Sequence, residues 1–252
     1  MPTTTLFENG THKNILLDDF SSGLMVQSNQ HVIVHNEQAI LLDPGGHKVY
    51  SSALAELSAL VPISGLRYIF FSHQDPDIIA AANGWLMVTD AEGLLSNLWM
   101  RFITHFGVDE MVMDRIQAIP DDGMMINLGD CEFTILPAHF LHSPGNFQIY
   151  DPVSKILYSG DLGASLGQTY LEVKNFSDHI QYIQGFHQRY MASNRTLRQW
   201  VKMVRDLDIE MVAPQHGAVY AGKEVVNELF TWLENLQCGV DLLEDQYQLP
   251  RH

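Results

Sequence analysis

Five short segments carry side chains suited to holding cations or moving protons. They are His73-Gln74-Asp75-Pro76-Asp77, His142 in Leu141-His142-Ser143-Pro144, Asp161 in Ser159-Gly160-Asp161, His216 in Pro214-Gln215-His216-Gly217, and Asp43 ahead of Pro44-Gly45-Gly46. In an extended stretch, residues i, i+2 and i+4 project to one side, so His73, Asp75 and Asp77 can converge on one point. Carboxylates brought that close repel each other unless a cation sits between them. A second reading of the same pentapeptide makes Asp77 a helix cap and His73 a hydrogen-bonded core residue.

Each segment directly follows a predicted strand, and loops at strand ends are where sheet proteins place ligands. Two apolar runs, His31–His35 and Ala39–Asp43, flank Asn36-Glu37 as a hairpin. Helical spacing follows over Tyr50–Val61, a buried strand over Leu66–Ser72, and a helix over Asp77–Leu86. Strands are then predicted at Met124–Leu128, Cys131–Pro137, Phe147–Asp151 and Lys155–Ser159, each bounded by turn residues. Asp178–Leu207 has a helical period, Glu210–Ala213 reads as a last strand, and Lys223–Gln237 as a closing helix. Strands interleaved with helices imply sheets covered by helices.

The chain has 252 residues, with 14 Lys+Arg against 30 Asp+Glu, a net charge of −16. That balance repels nucleic acid and anionic membrane. With 46% hydrophobic and 17% charged residues, the composition is that of a folded chain. One domain over residues 1–252 is expected. The 2 cysteines, Cys131 and Cys238, exclude a disulfide scaffold and a cysteine-rich metal cluster, and they are assigned packing roles. Residues 1–9 lack the pattern of a signal peptide. No apolar run reaches the roughly 18 residues of a membrane span. The most tempting stretch, Leu94–Ile103, is interrupted by Asn97 and Arg101. A cytoplasmic protein is expected.

The order His-x-Asp-x-Asp, His142, Asp161, His216 resembles the ligand order of the metallo-β-lactamase fold. The words Leu141-His142-Ser143-Pro144, Tyr158-Ser159-Gly160-Asp161-Leu162-Gly163 and Ala213-Pro214-Gln215-His216-Gly217 are similar to those of the flavodiiron branch. So is the tract from Arg189-Tyr190-Met191 to Leu207-Asp208-Ile209. The resemblance covers about Gly23 to Ala221. It implies an α/β (α+β) fold of four αββα layers, with two mixed sheets packed face to face and helices outside.

The resemblance further implies that His73, Asp75 and His142 hold a first metal, and Asp77 and His216 a second. Asp161 would bridge the two metals, with Asp161 and Asp77 nearest the reaction, and Asp43 would orient the first loop without ligating. Three departures matter. Ile78 stands where the family's signature has a further histidine, leaving the second metal short of a ligand. Asp75 replaces a longer Glu or a His. The family's flavodoxin-like domain has no counterpart in this chain, so no flavin is expected and electrons would come from an external redox partner.

Imidazole and carboxylate ligands without thiolate suit iron, manganese or zinc. The oxygen-rich, bridged set favours two iron ions. The leading expectation is a non-haem di-iron protein that binds or reduces O2 (or NO), either as an oxidoreductase or as an oxygen sensor that addresses a signalling protein. The alternative is a dinuclear zinc hydrolase of an ester, thioester or phosphodiester, in which a metal-bound hydroxide attacks. A third reading keeps the fold as an interaction surface with a degenerate site. The family also implies a homodimer.

Among the remaining residues, His139 is second to His142 for the ligand role. His31, His35, His105, His179 and His187 are expected at the surface or in the core, and His47 could line the pocket. Tyr158 and Tyr190 are read as packing aromatics with a lesser claim to proton donation. Arg195, Arg198, Lys202 and Arg205 are read as a solvated helix face that could also dock an acidic partner. Met111, Met113, Met124 and Met125 are expected in the core, with a lesser claim to a lip over the site or a dimer contact.

Overall fold

A computed structural model describes residues 3–17 and 19–243, together with 247 and 249. Among the described residues, thirteen strands form two sheets. The first contains β1 (Thr4–Asn9), β2 (His12–Leu16), β3 (His31–His35), β4 (Gln38–Leu42), β5 (Leu66–Phe70), β6 (Glu92–Ser96) and β7 (Ile116–Ile119), in that spatial order. The second contains β8 (Met124–Leu128), β9 (Cys131–Pro137), β10 (Phe147–Asp151), β11 (Ile156–Gly160), β12 (Met211–Pro214) and β13 (Tyr220–Ala221), ordered β13-β12-β11-β10-β9-β8. Both sheets are mixed. In the first, β4 to β7 run parallel, and in the second β11 and β12 do.

The central strands are apolar on both faces because both faces are covered. On β4, Ile40 and Leu42 point between the sheets while Leu41 packs under α1 (Tyr50–Leu60). On β11, Ile156 and Tyr158 face the other sheet while Leu157 meets the outer helices. Those helices are α4 (Phe176–Tyr190), α5 (Asn194–Val204) and α6 (Lys223–Asn235), which bury Ile183, Trp200, Val201, Leu229 and Leu233. Helix α1, with α2 (Pro76–Ile79) and α3 (Ala82–Val88), covers the first sheet with Leu57, Ile79 and Trp85. The result is the expected αββα order of layers.

Several boundaries differ from the sequence reading. The helix expected over Asp77–Leu86 is two short helices that part at Ala80-Ala81. The tract Asp178–Leu207 is two helices separated by Met191-Ala192-Ser193, and Ser193 caps the second. Leu94–Ile103 begins as β6 and turns at Ser96 into a 3-10 segment. The N-terminal hairpin β1–β2 and strand β7 were not anticipated. Met111 and Met125 are exposed rather than core, and neither they nor Met113 and Met124 border the candidate site. Among the described residues, no helix is long and apolar enough to cross a membrane.

Candidate metal centre

The parallel strands β4, β5, β11 and β12 all end at one edge of the sandwich. Asp43, His73, Asp161 and His216 follow those ends, and His142 joins them from the β9–β10 connection. Gly160, at φ 56, supplies the left-handed turn that carries the chain from β11 into Asp161.

His73, Asp75, His142 and Asp161 converge, with one potential ligand atom from each all within 4.8 Å of one another. His142 Nε2 is 2.9 Å from Asp161 Oδ2 and 3.2 Å from His73 Nε2. Asp75 Oδ2 lies 3.6 Å from His73 Nε2 and 3.5 Å from His142 Nε2. Ligands about 2.0–2.2 Å from one cation stand about 3–3.5 Å apart, so this spacing fits a single ion. His216 Nε2 lies on the other side of Asp161, 3.6 Å from its Oδ1 and 3.4 Å from Asp77 Oδ2. The two oxygens of Asp161 thus face different sets of donors. Asp161 is 4% exposed, and its Oδ1 is buried with no hydrogen-bond partner. An orphaned buried carboxylate oxygen is costly unless something positive meets it.

Hydrogen bonds fix the orientation of the rings. Asp43 Oδ1 accepts from Ser72 N at 2.8 Å, and Ser72 Oγ is 2.9 Å from His73 Nδ1. His216 Nδ1 donates to the Gln27 carbonyl at 2.5 Å. A ring whose Nδ1 is engaged in this way offers Nε2 as the ligand. The charges packed here shift one another's titration. Burial alone would depress the His73 imidazole, but Asp75, Asp161 and Asp43 outweigh it and raise its pKa to about 9. Burial would raise Asp161, yet His142, His73 and His216 hold it well below the usual carboxylate range. Asp75 is lowered, chiefly by His73. Asp43 is pushed up to about 6 by its burial.

The other candidates fall outside the cluster. His139 Nε2 donates to the Asp121 carbonyl at 2.7 Å and takes no part. Tyr158 is buried between the sheets, hydrogen-bonded to Asn14 at 2.8 Å. Ile78 is fully buried in the apolar core under the first sheet. His47 and Tyr190 line an open cleft of about 600 Å3 over the cluster, with Met25, Val26, Leu166 and Phe186. Tyr190 is 55% exposed, 5.8 Å from the His142 ring and stacked on Phe186.

Four supporting residues had no sequence signal. Asn29 Nδ2 donates to the carbonyls of Pro214 and Gly217 at 2.9 and 3.0 Å, pinning the His216 loop. Gln27 Oε1 accepts from Gly217 N at 2.7 Å. Asn146 Nδ2 donates to the Leu141 carbonyl at 2.6 Å beside His142. His187 Nε2 accepts from Gly163 N at 2.9 Å, steadying the turn after Asp161.

Two mixed sheets inside four layers, with a histidine–aspartate cluster at the sheet edge, define a metallo-β-lactamase-type sandwich of the flavodiiron kind. Residues 26–217 match the ODP family of beta lactamases, and the chain belongs to that family. A structure described as the peroxy diiron species of the chemotaxis sensor ODP shares 42% identity, covering 98% of this chain and 100% of its own, with a TM-score of 0.88. An uncharacterized protein of Methanocaldococcus jannaschii is 23% identical over 203 residues, 78% of this chain and 50% of its own length. The anaerobic nitric oxide reductase flavorubredoxin of Pectobacterium carotovorum is 22% identical over 237 residues, 85% of this chain and 44% of its own. The chain spans half or less of the length of these two relatives.

Proposed function

We propose that this chain holds two iron ions and binds O2 as the input of an oxygen sensor. His73, Asp75 and His142 would hold the first ion, Asp77 and His216 the second, and Asp161 would bridge them. The observation that carries this reading is the division of Asp161, with Oδ2 toward one donor set and the unpartnered Oδ1 toward the other. Ferrous ions supply the electrons that a diatomic ligand accepts.

The chain's own groups set the access and the electrostatics. Met25, Val26, Phe186 and Tyr190 give the cleft apolar walls, which suit a small apolar gas. Ile78 offers no nitrogen, so Asp77, Asp161 and His216 alone would hold the second ion, which would leave it able to take up a diatomic. Asp161 would place its carboxylate charge between the two ions. A sensor does not need rapid turnover, and an external donor or signalling protein would reset it or read it. The kinship with a protein described as a chemotaxis sensor supports this choice over a reductase.

The test is elemental analysis of protein purified without oxygen, followed by an optical spectrum before and after air. About two irons per chain and a new visible absorption on oxygenation are expected. Two zinc ions and an unchanged spectrum would refute the reading and favour hydrolysis.

A further inference from the structure

The turn that follows Asp161 is gripped on both backbone polar groups of Gly163 by buried side chains. The Asp161 carbonyl accepts from Ala164 N at 3.1 Å, closing a turn in which Gly163 takes the left-handed third position at φ 91. Gly163 N donates to His187 Nε2 at 2.9 Å, and the Gly163 carbonyl accepts from the Tyr220 hydroxyl at 2.7 Å. A Cβ at residue 163 would lie 3.2 Å from the Tyr220 ring, so the phenol packs directly on this turn. Behind Tyr220 stands His179, with Nε2 3.1 Å from the phenol oxygen. Behind His179 stands Tyr170, with its hydroxyl 2.7 Å from Nδ1.

The direction of every bond in this chain is fixed. Tyr220 directs its only hydroxyl hydrogen at the Gly163 carbonyl, so His179 Nε2 carries a hydrogen and donates to Tyr220. His179 Nδ1 then has a lone pair, and Tyr170 donates to it. His187 Nδ1 donates to the Ile183 carbonyl at 2.7 Å, which leaves Nε2 as the acceptor that Gly163 N requires. Burial lowers both imidazoles to about 4, keeping them neutral, and raises the Tyr220 phenol well above its ordinary value. His179, His187 and Tyr220 are fully buried, so a broken link leaves polar atoms unpaired away from water.

We propose that Tyr220, oriented by His179 and Tyr170, is a positioning residue that fixes the Asp161 carboxylate between the two donor sets. The proposal rests on the reading of Asp161 as the shared ligand of two irons. Tyr220 acts through the Gly163 carbonyl. His179 occupies a lone pair of the phenol oxygen and leaves its hydrogen aimed at Gly163. A carboxylate that serves two ions meets both with one orientation, so a loosened turn weakens both. That separates Tyr220 from Asn29 and Gln27, which hold only the His216 loop.

The test titrates ferrous ion without oxygen into the full chain, stripped beforehand with chelator, and follows calorimetry beside a thermal melt. Two binding events are expected in the parent. Tyr220→Phe keeps the ring and removes the hydroxyl, and both events should weaken by about tenfold or more. Tyr150→Phe is the matched control. Its hydroxyl donates to the Asp208 carbonyl at 3.0 Å, before the start of β12 and so at the end opposite His216, and both affinities should stay parental. His179→Leu should weaken both events, and His179→Gln, whose amide reaches the place of Nε2 and donates, should restore them toward the parent. Unchanged affinities in Tyr220→Phe, equal weakening in Tyr150→Phe, or a His179→Gln no better than His179→Leu would each overturn the role. If Tyr220→Phe does not fold, the His179 pair decides the same question. A single event in the parent would refute the two-iron reading and this inference with it. Two parental events that Tyr220→Phe leaves in place would overturn this inference alone.

Discussion

Asn29→Ala tests how the second half of the candidate centre is held. Asn29 is 3% exposed, and its side-chain amide donates to the Pro214 and Gly217 carbonyls on either side of His216. Alanine removes both hydrogen bonds and leaves two buried carbonyls short of a donor. At about 1 kcal/mol for each bond, the loss is about 2 kcal/mol. In a chain of this size that lowers the thermal midpoint by about 4–8 °C. The backbone amide of Asn29 still donates to the Gln215 carbonyl, so the loop loosens without detaching. His216 then holds its metal less well, by about 10- to 100-fold, as for other groups that support a ligand. Calorimetric titration of the metal-free protein with ferrous ion should show two events in the parent. In the variant only the weaker event should shift, because His73 and His142 are supported by Ser72 and Asn146 instead. An unchanged midpoint, or equal weakening of both events, would refute this account of the loop.

Asp161→Asn should cut iron to less than one ion per chain, because both donor sets lose the carboxylate they share, and elemental analysis retaining two ions would contradict the bridge. His31 and His187 are both lowered to about 4 by burial, so between about pH 6.5 and 4 the unfolded chain takes up protons that the native chain does not. Stability of the metal-free protein should therefore fall as pH drops through that window. His31→Phe should reduce the slope by about 1.4 kcal/mol per pH unit, read by urea melts at several pH values, and an unaltered slope would refute it. Trp85→Ala should cost about 3–5 kcal/mol, since the ring is fully buried under the first sheet, and a urea midpoint within error of the parent would show that the cavity collapses.

The convergence of the candidate ligands was legible because each lies in a short motif just past a strand, and motif order survives without knowledge of the third dimension. His73, Asp75, Asp77, His142, Asp161 and His216 do come together at one edge, and His139 does not join them. Strands with strong apolar runs, such as β4 and β10, were also legible. The hairpin β1–β2 was not, because Thr4–Asn9 is an edge strand with little buried apolar surface. The break inside Asp178–Leu207 was hidden because Ser193 caps a second helix without interrupting the apolar period. The supports of the site were invisible for a different reason. Asn29 and Gln27 act on a loop more than 180 residues away, through backbone contacts that no local pattern encodes.

The central claim is that one carboxylate, Asp161, joins two metals held by different residues. Anomalous X-ray scattering at the iron edge, from crystals of the iron-loaded protein grown without oxygen, tests it most directly. Two peaks are predicted, one among His73, Asp75 and His142 and one beside Asp77 and His216, with Asp161 between them. A single peak, or two peaks that Asp161 does not touch, would contradict the account.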